Sequence, residues 1–264
     1  MSRLFDLMRP AGSRVDSDEP AVAPIENAEI LPETRLVFHT DPRSPSADRY
    51  RFLRMRLRDL GASGKLKTIL VTSPLPHDGK STVCLNLATA LAEGGKKRVL
   101  LVEADLHQPV LTGRLGIKTW EGLAECLEGT IDPRSAIRQI DPLNWYLLPA
   151  GGSRANASEL LQTAAFAGVT SKLSPHFDWI LVDSPPVLPL SDAISLTRHA
   201  DATLLVARAD NTVREAIDET VTSIGRQRIV GIVLNGVSSI DRSYSKYHKS
   251  YYAGNTSQAK DTDS

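Results

Sequence analysis

Lys80 is the side chain around which a reactive site is most readily built. It lies in the run Asp78-Gly79-Lys80-Ser81-Thr82, which has the form of the end of a phosphate-binding loop. There, backbone amides at a helix start face an anion while the lysine supplies a mobile positive charge. Asp78, Gly79, Lys80, Ser81 and Thr82 are therefore candidate nucleotide contacts, and the Ser81 hydroxyl is placed to ligate Mg²⁺. The strict pattern would put its first glycine at the position of Pro74. Two acidic sites downstream support the same chemistry. Glu103 and Asp105 are carboxylates at i and i+2 after one apolar run, and Asp183 closes another, Asp178 to Val182. Beside a triphosphate such groups hold a metal or its waters and accept a proton. Near the end of the chain, Tyr244, Tyr247, Tyr251 and Tyr252 are four of its six tyrosines within nine residues. No apolar periodicity accompanies these rings, so core packing does not explain them. Carried by a nucleotide-binding domain, they are candidate phosphoryl acceptors.

These residues need a scaffold that brings strand ends together. Leu66 to Val71 reads as a buried strand, Thr72 to Gly79 as a loop, and Lys80 onward as a helix ended by Gly94 and Gly95. Arg98 to Val102, Asn144 to Leu148, Asp178 to Val182, Ala202 to Ala207 and Ile229 to Leu234 read as further strands. Helices are expected over Trp120 to Glu128, Ser158 to Leu173 and about Val213 to Gly225, with a Gly-rich turn from Pro149 to Arg154. The alternation predicts an α/β fold, a doubly wound and mainly parallel sheet in a three-layer sandwich like that of P-loop NTPases. Ligands of such sheets bind beyond the carboxyl ends of the strands, where the candidate carboxylates fall.

Ahead of the loop, Pro45 to Leu60 predicts a helix with Ser46 as N-cap and Phe52, Leu53 and Leu57 on its apolar stripe. Asp48, Arg51 and Arg54 recur along it, and Arg58 extends the row. Residues 1–40, rich in Pro, Ser, Glu and Asp, read as a flexible lead; 41–237 form the P-loop domain; 238–264 form a disordered tyrosine-rich tail.

Composition bounds the partners. The 264 residues are 41% hydrophobic, and Lys+Arg and Asp+Glu each total 31, so no global basic field argues for nucleic acid. Two cysteines, Cys84 and Cys126, suit a reducing cytoplasm. No apolar run approaches the roughly 20 residues needed to span a bilayer.

With these motifs assembled, the chain resembles the bacterial tyrosine kinase family, in particular the stand-alone kinase subunits serving capsule and exopolysaccharide export. The resemblance runs from about Ser44 to Tyr252. It includes Asp48-x-x-Arg51-x-x-Arg54 for an oligomerisation helix, Ser73 to Thr82 for Walker A and Val99 to Pro109 for Walker A′. Leu147 to Gly151 with Glu159-Leu160-Leu161, Ile180 to Ala193 for Walker B, Val233-Leu234-Asn235 and the terminal tyrosines complete it.

The resemblance implies a tyrosine autokinase using ATP and Mg²⁺. Lys80 would cradle the phosphates, Ser81, Asp105 and Asp183 would hold the metal, and Glu103 would stand where the family has a proton-accepting aspartate. His107 replaces a usual arginine and His77 a common loop glycine. The resemblance further implies a homo-oligomeric ring, a separate membrane-anchored co-polymerase that activates the kinase and recruits it from the cytoplasm, and a protein tyrosine phosphatase. Two other readings use the same residues: a nucleotide-binding regulatory subunit with weakened catalysis, and a partition-type ATPase switch. Partition ATPases carry a second lysine at the position held here by Leu75, which counts against the latter.

Overall fold

The computed structural model describes residues 23–237 apart from 63, 65, 119 and 163, so the four clustered tyrosines lie outside the described residues. In chain order the elements are β1 (Ile25–Asn27), α1 (Val37–Thr40), α2 (Pro45–Gly61), β2 (Thr68–Thr72), α3 (Lys80–Ala92) and β3 (Val99–Glu103). There follow α4 (Leu111–Arg114), α5 (Leu123–Glu128), β4 (Arg138–Asp141), β5 (Trp145–Leu148), α6 (Ala157–Gln162) and α7 (Ala165–Leu173). β6 (Trp179–Asp183), α8 (Asp192–Leu196), β7 (Ala202–Arg208), α9 (Arg214–Ile224) and β8 (Ile229–Asn235) complete the domain.

The strands form one sheet of order β1-β4-β5-β3-β6-β2-β7-β8. Every pairing is parallel except the antiparallel β4–β5, which is the doubly wound, mainly parallel sheet expected. β2, β3 and β6 are buried along their whole length, as strands covered on both faces must be. Ile69, Val71, Leu101 and Leu181 pack on one face against α3, while Leu70, Leu100, Val102 and Ile180 pack on the other with Leu123, Leu161 and Phe166. In the central register Glu103 pairs with Asp183 and Asp183 with Val71. The carboxyl ends of β3, β6 and β2 thus lie side by side, and the loop to α3 leaves from the third.

Several local expectations are corrected. The N-cap of α2 is Ser44, whose Oγ accepts from the Ala47 amide at 3.2 Å, with Pro45 at the first helical position. Proline is favoured there because it lacks the N–H that a helix start cannot use. Phe52 is 59% exposed instead of lying on the buried stripe, which Ala47 and Leu57 supply. Between 25 and 40 the expected flexible lead is structured: β1 pairs with β4, and Leu36 is fully buried. Ser158 to Leu173 is two helices, α6 and α7. Among the described residues, no helix is long and apolar enough to cross a membrane.

Candidate nucleotide site

The loop joining β2 to α3 is held in shape by its own side chains. Gly79 has φ +99°, and a Cβ there would collide with the Asn235 side chain, so only glycine fits. Asn235 Nδ2 donates to the Asp78 carbonyl at 3.0 Å. The Asp78 carboxylate is fully buried and accepts from Leu75 N at 3.1 Å and Thr212 Oγ1 at 2.7 Å. It therefore braces the loop from behind, whereas a direct nucleotide contact was expected of it. His77, at φ +65°, takes the left-handed conformation in which a glycine would be unstrained.

Lys80 Nζ lies 3.0 Å from Asp105 Oδ2, with both side chains largely buried. Asp105 Oδ1 accepts from Gln108 N at 3.1 Å, fixing the turn after β3. Asp183 is 1% exposed, and among the described residues no donor stands in good hydrogen-bonding geometry to either carboxylate oxygen, although the Ser81 hydroxyl lies near enough to favour the charged form. Burial pushes its carboxyl up to about 6, against the opposing influence of the Lys80 charge and the Ser81 hydroxyl. A buried carboxylate without well-placed donors is costly, and a divalent cation would relieve that cost. A serine hydroxyl and aspartates are hard oxygen donors of the kind Mg²⁺ takes, with water and phosphate completing its octahedron. Among the described residues no three His, Cys, Asp or Glu side chains are grouped as a metal site. Ser81, Asp105 and Asp183 could hold Mg²⁺.

Glu103 differs from expectation. Its Oε1 accepts from Val110 N and Leu111 N, both at 2.6 Å, and Oε2 from Ala150 N at 3.2 Å. Burial raises its carboxyl, with the three amides opposing. The side chain ties the loops after β3 and β5 together and is not among the residues lining the cleft. Of the three carboxylates only Asp105 lines the cleft, and Asp183 is buried behind it.

The cleft itself measures about 930 Å³. Among the described residues Arg35, Arg49, Lys80, Arg114 and Arg208 line it against Glu33 and Asp105, an excess of positive charge suited to a polyphosphate. Thr82 Oγ1 accepts from Arg114 at 2.7 Å. His107 Nε2 lies 2.8 Å from Asp192 Oδ2 and 3.2 Å from Ser158 Oγ, joining the Asp105 loop to α6 and α8. On α2, Arg51 pairs with Asp48 at 2.7 Å and donates to Pro42 O, while Arg54 donates to Ala90 O at 3.2 Å and lies 4.0 Å from Glu93. These three residues make contacts within the chain.

A family model described as an AAA domain matches residues 68–228. The tyrosine-protein kinase CpsD of Streptococcus pneumoniae is 32% identical over 188 residues, 69% of this chain and 80% of that protein. The chain belongs to the bacterial tyrosine kinase family. The tyrosine-protein kinase wzc of Salmonella typhimurium is 29% identical over 86% of this chain, which spans only 32% of that longer protein. The kinase domain of Escherichia coli tyrosine kinase ETK superposes with a TM-score of 0.73 at 25% identity, covering 78% of this chain and 81% of that one. As a family member with a P-loop fold, the chain binds a nucleotide. Sequence reasoning missed Arg35, Arg49, Arg114, Arg208 and Asn235. Only Asn235 had a signal, lying in the Val233-Leu234-Asn235 strand end. The arginines come from separate segments that only the folded chain brings together.

Proposed function

We propose that this chain is an ATP- and Mg²⁺-dependent protein-tyrosine autokinase whose acceptors are Tyr244, Tyr247, Tyr251 and Tyr252. The observation that carries this reading is the Lys80–Asp105 pair at 3.0 Å beside the Asp183 carboxylate, which has no well-placed donor. Lys80 would exchange Asp105 for the terminal phosphates, with the amides at the start of α3 binding the phosphate chain. Ser81 and Asp183 would hold Mg²⁺, and Asp105 one of its waters. The ion supplies charge neutralisation on the transferred phosphoryl group.

Transfer forms a bond from the phenolic oxygen to the γ-phosphorus and breaks the bond to the β-phosphate oxygen, releasing ADP. The phenol, with a pKa of about 10, must give up its proton. Asp105, freed from Lys80, is the group to receive it, since the oxygens of Glu103 are engaged by backbone amides. From residue 237 to residue 252 the chain can extend at most about 50 Å, enough for tyrosines to enter a neighbouring molecule's site. On this reading the kinase works in trans within a homo-oligomeric ring and regulates capsule or exopolysaccharide export. A separate membrane-anchored co-polymerase would activate and recruit it, and a tyrosine phosphatase would reset it.

The test is to incubate purified protein with Mg-ATP and weigh the C-terminal peptide. Gains of one phosphate at a time, abolished in Lys80→Met, support the proposal. Nucleotide binding with no mass gain would leave a regulatory subunit in its place.

A further inference from the structure

Arg114 stands in the cleft without a function that the motifs supply. It ends the short helix α4, is half-buried and lines the cavity. Its Nη1 donates to Thr82 Oγ1 at 2.7 Å, and among the described residues it enters no ion pair with a carboxylate. The chain holds it in place from several sides. The Thr34 hydroxyl donates to Arg114 O at 3.1 Å, and Glu29 N donates to Leu115 O at 2.8 Å. Asn86 Nδ2 donates to both Arg35 O and Thr82 O at 2.9 Å, while its Oδ1 accepts from Val37 N. Residues 28–37 thus stitch α4 to the phosphate-loop helix, and the guanidinium emerges beside Thr82.

Tying α4 to α3 needs only one neutral donor. A guanidinium offers five N–H donors in a rigid fork, and a single hydroxyl uses one of them. Half-buried at the cleft wall, the guanidinium keeps its remaining donors available to an anion. The fork matches phosphate geometry, and such charge-assisted bonds are about twice as strong as neutral ones.

We propose that Arg114 is a nucleotide-binding residue that, with Thr82, grips the phosphates nearer the sugar while Lys80 serves the terminal one. The proposal rests on the nucleotide reading above. A grip on that part of the chain is shared by ATP, by the transition state and by ADP. It therefore contributes uniform binding, which sets KM and product retention and leaves kcat alone.

The experiment titrates wild type, Arg114→Met and Arg114→Lys calorimetrically with Mg-ATP and Mg-ADP, and measures kcat and KM for tail phosphorylation. Arg114→Met should weaken ATP and ADP alike by about ten- to hundredfold, raise KM by a similar factor and leave kcat within about twofold. Arg114→Lys, which keeps the charge and the packing but loses the fork, should weaken ADP by at least about threefold. It also serves as the reporter if the methionine variant does not fold. The proposal is overturned if both variants bind ADP like wild type, if only ATP binding suffers, or if kcat falls with ADP affinity unchanged. If wild type itself binds neither nucleotide, the underlying reading fails along with it. Wild-type binding that Arg114 variants leave intact sinks Arg114 alone.

Discussion

Replacing Glu103 separates a proton acceptor from a brace. In Glu103→Gln, the amide oxygen can keep the two 2.6 Å bonds from Val110 and Leu111, but its nitrogen then meets the Ala150 N–H, a donor facing a donor. One buried amide is left unpaired, at a cost of about 1–3 kcal/mol. Glu103→Ala strands all three amides, for about 3–9 kcal/mol before any cavity is counted. Gln also removes a charge that burial disfavours, so thermal or urea unfolding of the nucleotide-free protein should place both wild type and Gln above Ala. The folded Gln variant should phosphorylate its tail within about threefold of wild type, whereas loss of a general base costs about 10²- to 10⁴-fold. Asp105→Asn, tested beside it, should lose transfer, and it should also lose stability because Lys80 is left without its 3.0 Å partner. A Glu103→Gln protein as stable as wild type but a hundredfold slower would refute the reasoning.

Other perturbations bear on the same site. Asp183→Asn should stabilise the nucleotide- and metal-free protein at pH 8. The carboxyl stands at about 6 when folded against an ordinary 3.8, so the folded state's advantage is full below about pH 4 and is lost as pH rises through 6. The buried charge above that point costs up to about 3 kcal/mol, at about 1.4 kcal/mol per pH unit. The gain should shrink towards pH 4 in thermal melts with a chelator present, and Mg-ATP should stabilise this variant much less than wild type. Gly79→Ala must strain a φ of +99° and displace Asn235 from Asp78 O. It should weaken nucleotide binding at least about tenfold, the left-handed penalty alone being about 1–2 kcal/mol, as read by titration calorimetry. Thr212→Val removes the 2.7 Å donor to the buried Asp78 carboxylate and should cost about 1–3 kcal/mol in denaturant unfolding.

The central sheet was legible because β2, β3 and β6 are buried on both faces and appear as continuous apolar runs ending in polar residues. The same runs place Lys80, Asp105 and Asp183 at or just beyond their carboxyl ends. β1 and β4 were not legible. They are three and four residues long, and their pairing is a contact between distant segments that no local pattern encodes. Residues 28–37 read as flexible because their polar composition conceals Leu36, which a tertiary pocket buries. Phe52 was placed on a buried stripe by helical spacing, yet spacing cannot say which side of a helix a neighbour covers. Ser44 could have been found, since proline at Pro45 favours the first helical position and so points to the residue before it. Glu103 shows that residue type at a strand end does not fix its role. The backbone amides of Val110, Leu111 and Ala150 decide it, and they converge only in the fold.

The most direct measurement is a calorimetric titration of the full chain with ATP, with and without Mg²⁺, repeated on Lys80→Met and Asp183→Asn. Magnesium-dependent binding in wild type, weakened in both variants, is the result expected of a metal nucleotide gripped at the ends of β2, β3 and β6. Binding that is indifferent to Mg²⁺ and to both substitutions, or no binding at all, would contradict it.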